Sequence, residues 1–175
     1  MRFLIRFSLL LTLFLFLAGC YDSEVPMAPV KDAVFDAKLI GRWKAIGLED
    51  DAAAKMVILN FNDKEYFIQH KLREKNDWSI RSEVYLCRAY TIMVDGISFC
   101  NVQYISSNEK VKRPFMFFRY AFSKDGILTW RWVSNDLIKK KIKSSKDLYK
   151  FIKKNINNEK LYGKPLKFKN DIQKQ

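Results

Sequence analysis

The dipeptide Asp95-Gly96 constrains the fold of this chain more than any other feature. Asp-Gly between two alternating apolar segments is typical of a two-residue β-hairpin turn. It places Val94 opposite Ile97, so a strand over residues 78–94, continuous or bent, pairs antiparallel with one over 97–105. The sequence therefore predicts a sheet that is built from hairpins.

Short apolar segments of the same kind recur on both sides of this hairpin, separated by turns and charged loops. The alternation is clearest over residues 127–133, where Leu128, Trp130 and Trp132 share one face. Further strands are predicted over 39–48, 55–62, 66–72 and 115–122, with a last strand or an ordered tail over 165–169. The predicted fold is mainly β: an antiparallel meander that forms a barrel or a strongly curved sheet.

An amphipathic helix is predicted after the strands. Ser144 is a typical N-cap, and Asp147 lies at the capping-box position three residues later. A helix from Ser145 to about Ile156 should dock its apolar stripe on the barrel and present its lysines outward. The stripe consists of Leu148, Phe151, Ile152 and Ile156. A shorter helix is predicted over residues 135–142.

The N-terminus carries a targeting signal. Arg2 and Arg6 precede an apolar stretch over residues 7–17. This stretch has the length of the apolar core of a signal peptide and is too short to span a membrane. The tetrapeptide Leu17-Ala18-Gly19-Cys20 follows directly. This arrangement closely resembles the lipobox of bacterial lipoprotein signal peptides.

The lipoprotein resemblance implies a location and a modification. Residues 1–19 would be removed, and Cys20 would carry a thioether-linked diacylglyceryl group and an acylated amine. Tyr21, and not Asp, follows the cysteine, which by analogy implies the outer membrane, facing the periplasm. The alternatives are a secretory signal with an incidental cysteine and an uncleaved membrane anchor.

The mature chain is expected to contain one domain. Residues 20–38, with Pro26 and Pro29, are predicted to be the lipidated cysteine and a tether that holds the domain off the membrane. Residues 39–175 are predicted to form a single β domain with a C-terminal helix and a basic tail.

Positive charge is concentrated at the C-terminus. From Ile138 onward there are 13 lysines against three acidic residues, whereas residues 20–137 carry a net charge of only +1. An anionic lipid surface or an acidic envelope protein is a suitable partner for this region, and nucleic acid is not. The candidate contacts are Lys139, Lys140, Lys141 and Lys143; the alternative is a solvated surface.

Gly41-Arg42-Trp43, preceded by Leu39-Ile40, resembles the Gly-x-Trp signature in the first strand of lipocalins. The resemblance implies a lipocalin-like barrel in which Trp43 plugs one end. It also implies an arginine from a late strand packed over that tryptophan, for which Arg131 is the candidate. The remaining similarities to lipocalins are the order of the strands, the size of the domain and the C-terminal helix.

Aromatic residues of two late strands are candidates for lining a ligand cavity. An eight-stranded barrel either holds one small ligand or is filled by side chains, so both interpretations remain open. A hollow barrel predicts a protein that binds a lipid or another hydrophobic molecule. A filled barrel predicts a structural or interaction lipoprotein that docks through its basic region. The candidate lining residues are Phe115, Phe117, Tyr120, Trp130 and Trp132.

No pattern for catalysis, a metal or a cofactor is found, and no enzymatic activity is predicted. His70 is the only histidine, and its spacing is that of a packed or half-exposed strand residue. Glu49-Asp50-Asp51 reads as a solvated turn. The hairpin register sets Cys87 and Cys100 about 13 Å apart along the sheet, beyond the reach of a disulfide, which favours two buried thiols.

Overall fold

The computed structural model describes residues 20–47, 53–76, 79–105 and 114–171, and within them the chain forms a closed antiparallel β-barrel of eight strands. This confirms the predicted fold class, a lipocalin-like meander barrel with a helix near the C-terminus. In chain order the strands are β1 Gly41–Ile46, β2 Ala53–Asn60, β3 Glu65–Asn76, β4 Ser79–Val94, β5 Ile97–Tyr104, β6 Phe115–Phe122, β7 Leu128–Trp132 and β8 Leu166–Asn170.

The last strand closes the barrel. Phe168 of β8 pairs with Ala45 of β1 on one side and with Leu128 of β7 on the other. The expectation of a final strand over 165–169 is thus confirmed. Every strand pairs with a neighbour on each side, although β4 pairs with β5 only from Cys87 onward and its first half pairs with β3 alone.

The hairpin register is the one that Asp95-Gly96 predicts. Val94 pairs with Ile97, and the two turn residues have φ values of 48° and 79°, as a type I′ turn requires. Cys87 and Cys100 are both buried and free. The prediction of two buried thiols is therefore confirmed.

Alternate residues of the strands fill the barrel interior. The inner core, as we call this cluster, includes Trp43, Ile58, Tyr66, Leu128 and Trp130. The chain enters β1 through a 3-10 turn at Ala37–Leu39, which lies across one end of the barrel. We call this the closed end and the other the far end.

A second apolar cluster, the outer core, lies on the outside of the barrel over β4, β5 and β6. Helix α1, Ser145–Asn155, contributes Leu148 and Ile152, which are fully buried. The Ser144 hydroxyl accepts a hydrogen bond from the Asp147 backbone N–H, as the capping box predicts. The docking of the helix and its outward lysines are confirmed.

Besides helix α1, residues 20–34 also cover the outer core, and we call this segment the strap. It runs from the far end, along the outside of the barrel, to the closed end. Three of its own side chains, those of Tyr21, Ser23 and Met27, are buried against the barrel and α1. The expectation of a tether over residues 20–38 is therefore wrong: this segment packs against the barrel and does not act as a spacer.

Two smaller expectations also differ from the structure. Residues 135–142 form turns and extended chain and not a helix, because Leu137, Ile138 and Ile142 pack separately into the edge of the outer core. Strand β3 continues to Asn76, through the charged residues expected to form a loop, because the long strand β4 pairs with it along its whole length.

Candidate functional site

Trp43 lies at the closed end, as the sequence predicts. Only 3% of its surface is exposed, and its ring centroid is 5.8 Å from that of Phe122. Its Nε1–H donates a 2.9 Å hydrogen bond to the Leu39 carbonyl oxygen. This hydrogen bond holds the 3-10 turn over the end of the barrel. The indole therefore both fills the closed end and fixes the turn that covers it.

A small polar network completes the closed end around Asp36. The Tyr120 hydroxyl donates to its carboxylate at 3.1 Å, and the Asp36 backbone N–H donates to the Tyr66 hydroxyl at 2.6 Å. The Thr91 hydroxyl donates to the Val34 carbonyl oxygen. Buried polar groups that bond in this way hold the chain in one arrangement. Thr91 therefore holds the end of the strap, and Tyr66 and Tyr120 hold Asp36 just beyond it.

Arg131 does not pack over Trp43. It is on the outer surface, where its guanidinium lies 5.0 Å from the ring centroid of Tyr162 and 2.8 Å from the Glu159 carboxylate. Its Nε–H donates to the Gly163 carbonyl oxygen. The expectation for Arg131 is wrong because the alternation along β7 turns residues 129 and 131 away from the interior.

The five candidate lining residues do not form one surface. Phe115 and Phe117 face outward into the outer core, because the register of β6 turns them away from the barrel interior. Tyr120 and Trp130 are inside the barrel, with ring centroids 6.0 Å apart. Trp132 lies at the far end, directly against Gly163. The grouping in one cavity is therefore wrong for the two phenylalanines.

The cavity within the barrel is small. Its volume is about 80 Å³, and its walls include His70, Tyr104, Met116, Trp130 and Leu166. Drug-sized ligands occupy about 300–1,000 Å³. The larger hollows are open grooves on the outer surface, one of about 670 Å³ between the strap and α1. Within the described residues, side chains fill the barrel.

Among the described residues, the three thiols and the histidine have pKa values shifted toward their neutral forms. Burial raises the pKa of the Cys87 thiol to about 12 and also raises that of Cys100. Burial, reinforced by the nearby Asp22 carboxylate, raises the pKa of the Cys20 thiol. Burial lowers the pKa of His70, which is half-buried as predicted. These groups are neutral near pH 7.

Cys20 and the candidate lysines lie close together. Cys20 is exposed and forms a β-bridge with Ser134 at the far end of the barrel. Lys141 forms a 2.6 Å ion pair with Glu24 of the strap. The four lysines predicted to contact an anionic surface are all exposed: Lys139, Lys140, Lys141 and Lys143.

An ion pair between a buried carboxylate and a half-exposed arginine, beside the strap, was not anticipated. The Arg88 guanidinium contacts both carboxylate oxygens of Glu65, at 2.6 and 2.7 Å, and Asn62 donates to one of them at 2.8 Å. The Glu65 side chain is only 4% exposed. These hydrogen bonds lower the pKa of Glu65 despite its burial. The two residues lie on neighbouring strands and far apart in sequence, so no local sequence pattern predicts that they pair.

Residues 1–19 and Glu49-Asp50-Asp51 lie outside the described residues. Within the described part of the chain, no group of three or more His, Cys, Asp or Glu side chains is placed to hold a metal ion. No helix in that same part is long and apolar enough to cross a membrane. Comparison of the chain with protein-family models, curated proteins and solved structures finds no match.

Proposed function

We propose that this protein is a non-enzymatic lipoprotein of the bacterial envelope that acts through the outer surface of a filled barrel. Cys20 carries the lipid anchor, on the outer membrane facing the periplasm. The basic C-terminal region contacts an anionic surface. No cofactor or metal takes part.

The size of the interior cavity favours docking through the outer surface over the binding of a ligand inside the barrel. A volume of about 80 Å³ is well below that of a typical ligand site. Two rings that were expected to line such a site, Phe115 and Phe117, contribute instead to the outer core. The surface features that remain for function are the outer grooves and the exposed lysines.

The binding of a hydrophobic ligand inside the barrel is the second candidate. The apolar walls of the small cavity favour it, since Met116, Leu166 and Trp130 would accept the end of an alkyl chain. Mass spectrometry of the purified protein distinguishes the two. We expect no stoichiometric lipid beyond the covalent anchor; one noncovalent lipid per protein would support the ligand-binding function.

The anchor itself is tested by Cys20→Ser. A hydroxyl does not replace the thiol in thioether formation, so metabolic palmitate labelling and membrane association should both disappear. The matched control is Cys87→Ser, which alters a buried thiol that lies outside the lipobox. Labelling that persists in the Cys20 variant would contradict the lipoprotein assignment.

A further inference from the structure

The packed strap holds Cys20 at one fixed place on the barrel. The Tyr21 backbone N–H donates a 2.9 Å hydrogen bond to the Val133 carbonyl oxygen. Ser23 and Phe115 exchange two backbone hydrogen bonds, at 2.9 and 2.7 Å. A cysteine joined directly to such a segment lacks the rotational freedom that a flexible linker would give it.

A lysine segment, residues 139–143, lies against this part of the strap. The Ile142 backbone N–H donates to the Tyr21 hydroxyl at 3.2 Å, and Lys141 pairs with Glu24. Ile138 and Ile142 pack into the outer core, which turns the lysines between and beside them to solvent. Residues about 120 positions apart in sequence thus form one surface.

We propose that Cys20 and the lysine segment form a single membrane-facing surface. The lysines bind anionic phospholipid headgroups of the leaflet that holds the anchor, and they thereby fix the orientation of the barrel on the membrane. This inference rests on the proposed lipidation of Cys20 and adds to it a defined contact surface.

Distance favours lipid headgroups as the partner. Glu24, which contacts Lys141, is four residues from Cys20, a span of at most about 14 Å. The surface potential of the leaflet decays over roughly 8–10 Å at physiological salt, so an anchor at Cys20 holds the lysine segment within about two screening lengths of it. Anchoring also makes this contact intramolecular, so individually weak attractions act at high effective concentration.

The ion pair with Glu24 does not neutralise the surface. Both partners are about half exposed, so the pair is weak and screened by salt. The closed end carries its own exposed lysines, Lys38, Lys124 and Lys169. Lys31 is also exposed, near the point where the strap reaches this end, and its carbonyl oxygen accepts a hydrogen bond from Lys64 of the β2–β3 turn. These four lysines lie away from Cys20 and provide a control of the same charge as the lysine segment.

The test uses the full lipidated protein, reconstituted into vesicles with or without 30% phosphatidylglycerol in phosphatidylcholine. A thiol-reactive fluorophore is attached at Asn135→Cys, beside the lysine segment, or at Ala121→Cys, near the closed end; both positions are exposed. The native Cys87 and Cys100 are buried, and Cys20 is blocked by lipid. Headgroup spin-labelled lipid then quenches whichever fluorophore lies near the surface.

We expect strong quenching at position 135 and little at 121 in the anionic vesicles at low salt. Each lysine near an anionic leaflet contributes about fivefold in affinity. Replacement of Lys139, Lys140, Lys141 and Lys143 by Gln should therefore shift the orientation equilibrium by roughly 100-fold or more, and reduce quenching at 135 to the level at 121. Replacement of Lys31, Lys38, Lys124 and Lys169 by Gln should leave the quenching at 135 unchanged.

Three outcomes overturn the inference while the anchor stands: equal quenching at both positions, no effect of the first quadruple variant, or the same quenching in neutral and anionic vesicles. The last would mean that the anchor alone orients the barrel and that the lysine segment does not bind lipid headgroups. Protein that fails to float with vesicles of either composition would instead refute the anchor itself, so the two proposals fail separately.

Discussion

The inner and outer cores of this protein are assembled from the sequence in different ways. The inner core takes alternate residues from strands that follow one another along the chain and pair with their neighbours. The outer core joins the strap, the outward faces of β4 to β6, helix α1 and the residues after it, which are more than 100 positions apart at the extremes. The inner core is specified mostly by local pattern, with one long-range closure between β1 and β8, whereas the outer core depends on long-range packing throughout.

The polar contacts differ in the same way. At the closed end, Asp36 is held by Tyr66 and Tyr120 as well as by the backbone. Over the outer core, the buried Asn101 accepts one hydrogen bond from the Met27 backbone N–H, and its amide nitrogen has no partner among the described residues. The strap pairs with the barrel through isolated bridges, whereas each barrel strand has a neighbour on both sides, and less continuously bonded segments open at lower free energy. We therefore expect the strap to open before the barrel unfolds.

The largest effect should come from the inner core. Trp43→Ala removes a large buried side chain and the hydrogen bond to Leu39. It should cost about 3–5 kcal/mol in the free energy of unfolding measured with urea. Val34→Ala, at a half-exposed strap position, should cost far less. A loss below about 1 kcal/mol for Trp43 would show that the closed end contributes little to stability.

The outer core should give a comparable loss but a different pattern of opening. Leu148→Ala empties a fully buried site beneath α1 and should cost about 2–5 kcal/mol. Hydrogen exchange should accelerate most at the amides of Tyr21 and Met27, and little at the strands of the inner core. Lys150→Ala, on the exposed side of the same helix, is the control. Uniform acceleration throughout the chain would mean that the two cores unfold as one unit.

Most of the barrel could be predicted from the sequence because its signals are local. Asp95-Gly96 determines a hairpin and its register, and the alternation around Trp130 assigns the inward face of β7. The capping box at Ser144 locates the helix within one residue of its observed start. Each of these signals lies within a few residues of the structure that it specifies.

The strap was missed although a signal was present. Tyr21, Ser23, Val25 and Met27 alternate with more exposed residues, which is the period of an extended segment with one buried face. The two prolines and the charges obscured it. The assignment of Phe115 and Phe117 to a cavity was wrong for a related reason. Both faces of β6 are apolar, so the sequence of the strand does not show which face points into the barrel and which is covered by the outer core.

Gly163 tests the packing at the far end of the barrel, beside the outer core. A Cβ atom at this position would lie 1.8 Å from the Trp132 indole, so Gly163→Ala must displace that ring or the adjacent Tyr162. We expect a loss of about 1–3 kcal/mol, typical of overpacking. In a double-mutant cycle, Trp132→Leu should recover part of the loss, because it removes the clashing atoms. Additive effects would show that the two residues do not interact.

The smallest effect concerns the buried carboxylate at the edge of the strap. Arg88 and Asn62 lower the pKa of Glu65 in the folded state, below the value of about 4.3 expected when unfolded. The resulting stabilisation is complete above the unfolded pKa and is lost as the pH falls through the folded pKa.

Glu65→Gln should therefore be less stable than the wild type at pH 7, by about 1 kcal/mol. The difference between the two proteins should narrow as the pH falls below about 4.3, since the wild-type carboxylate then becomes protonated and loses its charge-assisted bonds. Urea unfolding at several pH values measures this difference. Glu159→Gln, which alters a carboxylate that is 75% exposed and paired with Arg131, is the control at an exposed position. If the gap for Glu65→Gln stays constant from pH 7 to pH 3, its carboxylate charge does not stabilise the boundary between the strap and the barrel.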